Sequence, residues 1–209
     1  MRIIADGADW AGEMPAVLVA VAADADARRA LLAALAARVL GGAREAVRIE
    51  HGSGRAPTLV FPPGAALHLS SASRAGVAAL AVGRDRLGID IEAVEPSFAP
   101  PWKVLRREEQ EWLRALASDE RPLAFARLWA AKEAYLKALG IGFARPPESF
   151  AVLPDAGGEL GIVDPETGRA GVVRLATACV ERSGGEFAVA LAELSAAGPA
   201  DVERPRVPT

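Results

Sequence analysis

The chain has 209 residues, enough to bury a real core as one large domain or two small lobes. Apolar residues make up 51% and charged residues 24%, the balance of a soluble globular protein. The net charge of -3 argues against broad nucleic-acid binding, and no apolar run is long enough to span a bilayer. A cytoplasmic protein with neither nucleic acid nor membrane as partner is therefore expected. Cys179 is the single cysteine, which excludes an intramolecular disulfide and a cysteine-based zinc site.

Val17 to Val21 reads as a buried first strand. The acidic residues before it (Asp6, Asp9 and Glu13) fit that reading better than a signal peptide. Asp24 or Asp26 can cap a helix that runs to Leu40 and stops at Gly41-Gly42. Val47 and Ile49 alternate with polar neighbours as in a strand, and a turn follows from Gly52 to Pro57. Leu59 to Phe61, Ala66 to Ser71, Val77 to Val82 and Leu87 to Ile91 are further strands. Glu95 to Pro101 carries three prolines and reads as a linker. Two helices follow, one from Lys103 to Ala117 and one from Pro122 to just before Gly140. Strands are expected at Phe150 to Leu153, Leu160 to Val163, Val172 to Val180 and Phe187 to Leu191. The layout predicts an α+β fold of two similar lobes, each of helix plus antiparallel sheet. The boundaries are 1–94 for the first lobe, 95–101 for the linker, 102–196 for the second lobe and 197–209 for a disordered tail.

Two short motifs bear on chemistry. The first is Gly88-Ile89-Asp90-Ile91-Glu92, where strand alternation puts Asp90 and Glu92 on one face and the isoleucines on the other. Paired carboxylates suit a hard cation such as magnesium, which shares itself with phosphate oxygens; a solvated acidic strand end has the same pattern. The second is Trp129-Ala130-Ala131-Lys132-Glu133-Ala134-Tyr135-Leu136-Lys137, closed by Gly140-Ile141-Gly142. On a helix, Trp129, Glu133 and Lys137 share one stripe. A core tryptophan beside a surface ion pair would read the same way.

The two motifs together, with a proline-bearing linker between them, resemble the 4′-phosphopantetheinyl transferase superfamily, in its larger, pseudo-dimeric bacterial type. The likeness is firmest from His68 to Phe143 and extends to the Glu108-Glu109 pair and Trp112. It implies magnesium-dependent transfer of 4′-phosphopantetheine from coenzyme A to a serine of an acyl or peptidyl carrier protein, releasing adenosine 3′,5′-bisphosphate. It implies that Asp90, Glu92 and Glu133 hold the metal. Glu133 is then also the base, and Lys137 contacts the coenzyme A phosphates and assists the transfer. Lys132 is expected near phosphate or the neighbouring lobe. Lys103, Arg106 and Arg107 are the expected contacts of the carrier protein, and the chain is expected to act as a monomer.

The resemblance has gaps. The family's strand reading roughly His-Phe-Asn-Leu-Ser-His corresponds here to His68-Leu69-Ser70-Ser71-Ala72-Ser73, so the second histidine falls on Ser73. A serine donates one neutral hydrogen bond where the histidine brings charge. No basic residue occurs between Ile3 and Ala27. The nucleotide end is therefore assigned to Arg29, Arg55 and Ser73, with Arg28 alongside. These gaps keep alternatives open: a family member that binds coenzyme A or a nucleotide without transfer, a magnesium-dependent nucleotide hydrolase, or an interaction domain without a site.

Overall fold

The computed structural model describes residues 3–4, 12–52, 56–97, 100–166 and 172–195. Arg55 and the tail from Ala197 lie outside the described residues. In chain order the first elements are strands β1 (Ile3–Ile4) and β2 (Ala16–Val21), then helix α1 (Ala25–Leu40). Asp24 caps α1 by accepting from the Ala27 amide at 2.8 Å. The helix stops where Gly41 enters the left-handed region at φ 69°, so that Gly41 and Gly42 can donate to the Arg38 and Ala37 carbonyls. A hairpin of β3 (Arg48–Glu50) and β4 (Thr58–Phe61) follows, then β5 (His68–Arg74), β6 (Val77–Gly83) and β7 (Arg86–Ala93). Beyond the linker come α2 (Arg107–Ala115), α3 (Arg121–Leu139), the hairpin β8 (Ala151–Pro154) and β9 (Leu160–Val163), and the long pair β10 (Val172–Arg182) and β11 (Gly185–Ser195).

The helix expected from Lys103 starts later. Trp102–Val104 forms a short 3-10 turn, Leu105 and Arg106 are extended, and regular helix begins at Arg107. Leu105 is buried, and the Glu109 carboxylate accepts from the Arg106 amide at 2.8 Å. A carboxylate that turns back to the residue before the helix fixes that start.

The structure is a mixture of helices and mainly antiparallel sheets. One sheet has the order β1-β2-β6-β5, parallel only between β1 and β2; the other has the order β10-β11-β7. Strand β7 precedes the linker, yet its ladder runs with β11, pairing Asp90 with Ala190 and Gly88 with Ala192. The two sheets face each other. Val77, Ala79 and Ala81 of β6 pack with Leu87, Ile89 and Ile91 of β7 and Phe187, Val189 and Leu191 of β11. The alternate residues of β6, Ala78, Leu80 and Val82, pack with Leu32, Leu35 and Ala36 of α1. Both faces of β6 are covered, which explains its unbroken apolar run.

Helix α3 covers the other face of the second sheet. Its Ala130, Ala131, Ala134 and Ala138 lie in one cluster with Ala190 and Ala192 of β11. A β-carbon added at Gly88 would collide with the Ala134 carbonyl, the Ala138 amide and the Lys137 β-carbon. Gly88 is therefore where β7 and α3 approach backbone to backbone. Replacing Gly88 with Ala is predicted to lower stability by about 1–3 kcal/mol or more, because the helix must lift off the strand. Urea denaturation of the two proteins checks this; an unchanged midpoint would show that α3 does not rest on β7 here.

Candidate active site

The alternation of β7 sends Ile89 and Ile91 into the core between the sheets. Gly88, Asp90 and Glu92 are left on the α3 side. One helical turn separates Glu133 from Lys137 on α3, and both are half-buried. The Lys137 ammonium meets Asp90 Oδ1 at 2.6 Å and donates to the Ile89 carbonyl at 3.2 Å. Asp90 is not a solvated strand end: its side chain is 6% exposed. Its second oxygen, Oδ2, is buried and has no hydrogen-bond partner.

The electrostatics link the three acids. Burial pushes the Asp90 carboxyl up to about 7; Lys137 opposes the shift, and Glu133 and Glu92 add to it. Burial also raises the Glu92 carboxyl, against the pull of Arg74, which lies 3.3 Å from it. Glu133 again adds to the rise. Asp90, Glu92 and Glu133 thus share one field, and the structure brings them together with Lys137. Among the described residues no three acidic, histidine or cysteine side chains converge as a closed set of metal ligands. Asp90 turns one oxygen to Lys137, and Glu92 turns one to Arg74. The donor set still fits a hard divalent cation: oxygen ligands only, mutual repulsion, and one buried carboxylate oxygen without a partner.

Around the edge of β5 the charge changes sign. Arg28 of α1 donates to Ser73 Oγ at 2.7 Å. Arg29 pairs with the exposed Asp26 at 2.8 Å. His51, just past β3, lies in the field of both: partial burial, then Arg29, then Arg28, hold its imidazole below the ordinary value. Sequence reasoning missed Arg74 as the counter-charge of Glu92, because the two stand on separate strands.

One sequence expectation is corrected. Lys132 does not face phosphate. It is fully buried, meets Glu109 Oε1 at 2.7 Å, and donates to the Pro147 and Phe150 carbonyls at 2.8 Å each. Glu109 in turn accepts from the Val152 amide at 2.7 Å, so the pair ties α2 and α3 to β8. Arg106 is also occupied, donating to the Ser149 carbonyl and leaning on Glu108. Arg107 stays 86% exposed although it pairs with Glu111, and Lys103 is exposed.

The family model described as the 4′-phosphopantetheinyl transferase superfamily matches residues 86–192, just over half of the chain. The match takes in β7, α3 and most of β11, and with them all four clustered residues. The chain therefore belongs to this superfamily. It is 31% identical over 83 residues to the 4′-phosphopantetheinyl transferase ffp of Bacillus subtilis, covering 39% of this chain and 37% of that one. It is 34% identical over 71 residues to the 4′-phosphopantetheinyl transferase gsp of Aneurinibacillus migulanus, covering 34% and 30%. The matched stretches thus span about a third of these curated relatives. Among solved structures, the holo-(acyl-carrier-protein) synthase of Bacillus anthracis, in complex with CoA (3′,5′-ADP), is 26% identical at a TM-score of 0.44. That likeness covers 53% of this chain and 96% of the synthase. Among the described residues no helix is long and apolar enough to cross a membrane.

Two predictions follow from the charges. A carboxyl whose folded value lies above its unfolded one binds its proton more tightly when folded. Its burial therefore costs nothing below about pH 4 and costs progressively more as pH rises toward about 7. In metal-free buffer, Asp90→Asn is expected to gain thermal stability relative to the parent as pH rises through that window; a constant difference from pH 4 to pH 8 would contradict the shift. Lys132→Met leaves Glu109 buried without its cation. It is expected to lose about 3–5 kcal/mol in urea denaturation, far more than a substitution at an exposed phosphate-facing lysine.

Proposed function

We propose that the protein transfers 4′-phosphopantetheine from coenzyme A to a serine hydroxyl of an acyl or peptidyl carrier protein, with magnesium. The observation that carries this reading is the buried, unpartnered Asp90 Oδ2 in a cluster with Glu92, Glu133 and Lys137. The membership of the matched segment in a transferase superfamily supports it.

Asp90, Glu92 and Glu133 are the residues that would hold the ion. The chemistry that magnesium supplies when bound is neutralisation of the pyrophosphate oxygens and withdrawal of charge from the phosphorus under attack. The chain's own residues do the rest. Glu133 accepts the proton of the carrier's serine at its carboxylate, directly or through a water. A bond forms between the serine oxygen and the β-phosphorus, the bridging P–O bond breaks, and adenosine 3′,5′-bisphosphate leaves. Lys137 sits one helical turn from Glu133 and carries a cation to the side where leaving-group charge grows. Arg28, Arg29 and Ser73 take the nucleotide end, joined by Arg55 on the strength of the resemblance. Exposed Lys103 and Arg107, at the start of α2, offer charge complementary to an acidic carrier. The lobe boundary at 95–101 and action as a monomer in the cytoplasm belong to the same reading.

Intact-mass spectrometry tests it, with a panel of apo carrier proteins, coenzyme A and magnesium. The expected result is a gain of about 340 Da on a carrier, absent with EDTA and absent with Glu133→Gln. No gain on any carrier, with the protein folded and coenzyme A saturating, would overturn transfer and leave a nucleotide-binding member of the family.

A further inference from the structure

Strand β5 sends its alternate side chains to two different places. Leu69 packs on the α1 side, and Ser73, on the same face, accepts from Arg28. The other face carries Ser70, Ala72 and Arg74. Ser70 Oγ accepts from the Ile89 amide of β7 at 3.0 Å, and Ala72 packs in the cluster between the sheets. Arg74, the last residue of the strand, reaches Glu92 at 3.3 Å. Both contacts advance the same way along β5 and β7, so the Ser70 bond sets where Arg74 stands. The turn after it, Ala75-Gly76, has both residues at positive φ, 47° and 77°, and the Gly76 carbonyl accepts from the Ala22 amide at 2.8 Å. This is a tight two-residue hairpin turn, whose twist matches that of its strands. The backbone under Arg74 is therefore held on both sides, while its side chain is 53% exposed over a Glu92 side chain that is 16% exposed. A long, exposed side chain in such a pair contributes little to stability. What it occupies matters more: Glu92 is one of the three carboxylates assigned above to the cation, and the guanidinium already takes one of its oxygens. Lys137 is tied more firmly, at 32% exposure and with a second bond to the Ile89 carbonyl. Arg74 is the looser of the two cations.

We propose that Arg74 is a displaceable counter-ion: it competes with the divalent cation for Glu92, and it gives that carboxylate up when a phosphate-bearing ligand offers the guanidinium a second anion. The inference rests on the transferase reading and adds a residue to it. A guanidinium and a divalent ion on one carboxylate repel each other, so the ion gains Glu92 only as Arg74 turns away. A guanidinium takes phosphate oxygens as readily as a carboxylate, through paired N–H donors. Metal and phosphate are thereby linked. Each ligand removes an obstacle to the other, and the linkage is reciprocal.

The test is titration of the full chain with manganese(II), a paramagnetic ion that takes the same oxygen ligands, for the parent, Arg74→Gln and Arg74→Lys. Loss of the free-ion resonance signal reads binding, corrected for manganese held by coenzyme A alone. Without nucleotide, Arg74→Gln should bind the ion about tenfold more tightly than the parent, the effect of removing one opposing charge beside the site. Arg74→Lys keeps the charge and should stay within about threefold of the parent. With saturating coenzyme A the parent should bind the ion more tightly than before, and the gap to Arg74→Gln should shrink to within about twofold. Equal or weaker binding by Arg74→Gln without nucleotide would overturn the competition. A gain by Arg74→Lys as large as that of Arg74→Gln would show that charge is not the cause and would overturn it too. A gap that persists with coenzyme A would overturn the displacement. If the parent binds manganese and modifies a carrier protein but shows none of these differences, this inference fails and the transferase reading stands. If the parent binds no manganese, with or without coenzyme A, and modifies no carrier, both fail.

Discussion

The close approach of α3 to β7 is the constraint on which the rest of the site depends. Gly88 has no side chain, and the facing surfaces of α3 and β11 are largely alanine. The helix can therefore lie directly on the strand. With Gly88 against Ala134 and Ala138, the next outward-facing residue of β7 is Asp90, and it meets the next lysine of the helix, Lys137. Glu133 is one turn back along α3 and Glu92 two residues on along β7, so both fall into the same field. A larger residue at 88 would separate the strand's carboxylates from the helix's charges. The chemistry of the cluster is thus set by a packing fact that carries no charge at all.

A second pair of groups sets the frame around α3. The buried Lys132 and Glu109 satisfy each other, and their remaining bonding capacity goes to the backbone of residues 147 to 152 and of Arg106. A buried ion pair adds little net stability over apolar packing, but it is strict about geometry. It fixes which side of α3 faces α2 and β8. The side with Glu133 and Lys137 is then directed at β7. Adjacent residues Lys132 and Glu133 differ in role because neighbours on a helix point about a hundred degrees apart.

Much of this was legible in the chain. Asp24 with Gly41-Gly42 bounded α1, and Pro122 with Gly140 bounded α3, because caps and breakers act locally. The face shared by Asp90 and Glu92 followed from strand alternation. What failed were features made by distant partners. Alternation says which face a residue occupies but not which strand lies beside it, so the pairing of β7 with β11 across the linker could not be read. The partner of Lys132 could not be read either, because Glu109 arrives from another helix. The start of α2 slipped by four residues because Leu105 is drawn into the core and Glu109 turns back to cap.

The balance of charge in the cluster explains why the carboxylates and Lys137 belong to one device. Three carboxylates stand against two cations, Lys137 and Arg74, which leaves the site one charge negative when all are ionised. Such a site repels a pyrophosphate. The raised Asp90 carboxyl relieves part of that excess by holding a proton, and Lys137 relieves part by pairing. Neither relief is available to a ligand that needs both groups for itself. On the proposed reading a divalent cation reverses the sign of the whole site, so the acids no longer need Lys137 as their counter-ion. On the same reading Lys137 would then be free to face phosphate, while Arg28 and Arg29 stand at the other side of β5. The edge of β5 stands between the carboxylate cluster and the arginines of α1: Arg74 turns to Glu92, and Arg28 turns to the neighbouring Ser73, so the arginines of α1 are not drawn into ion pairs with those carboxylates.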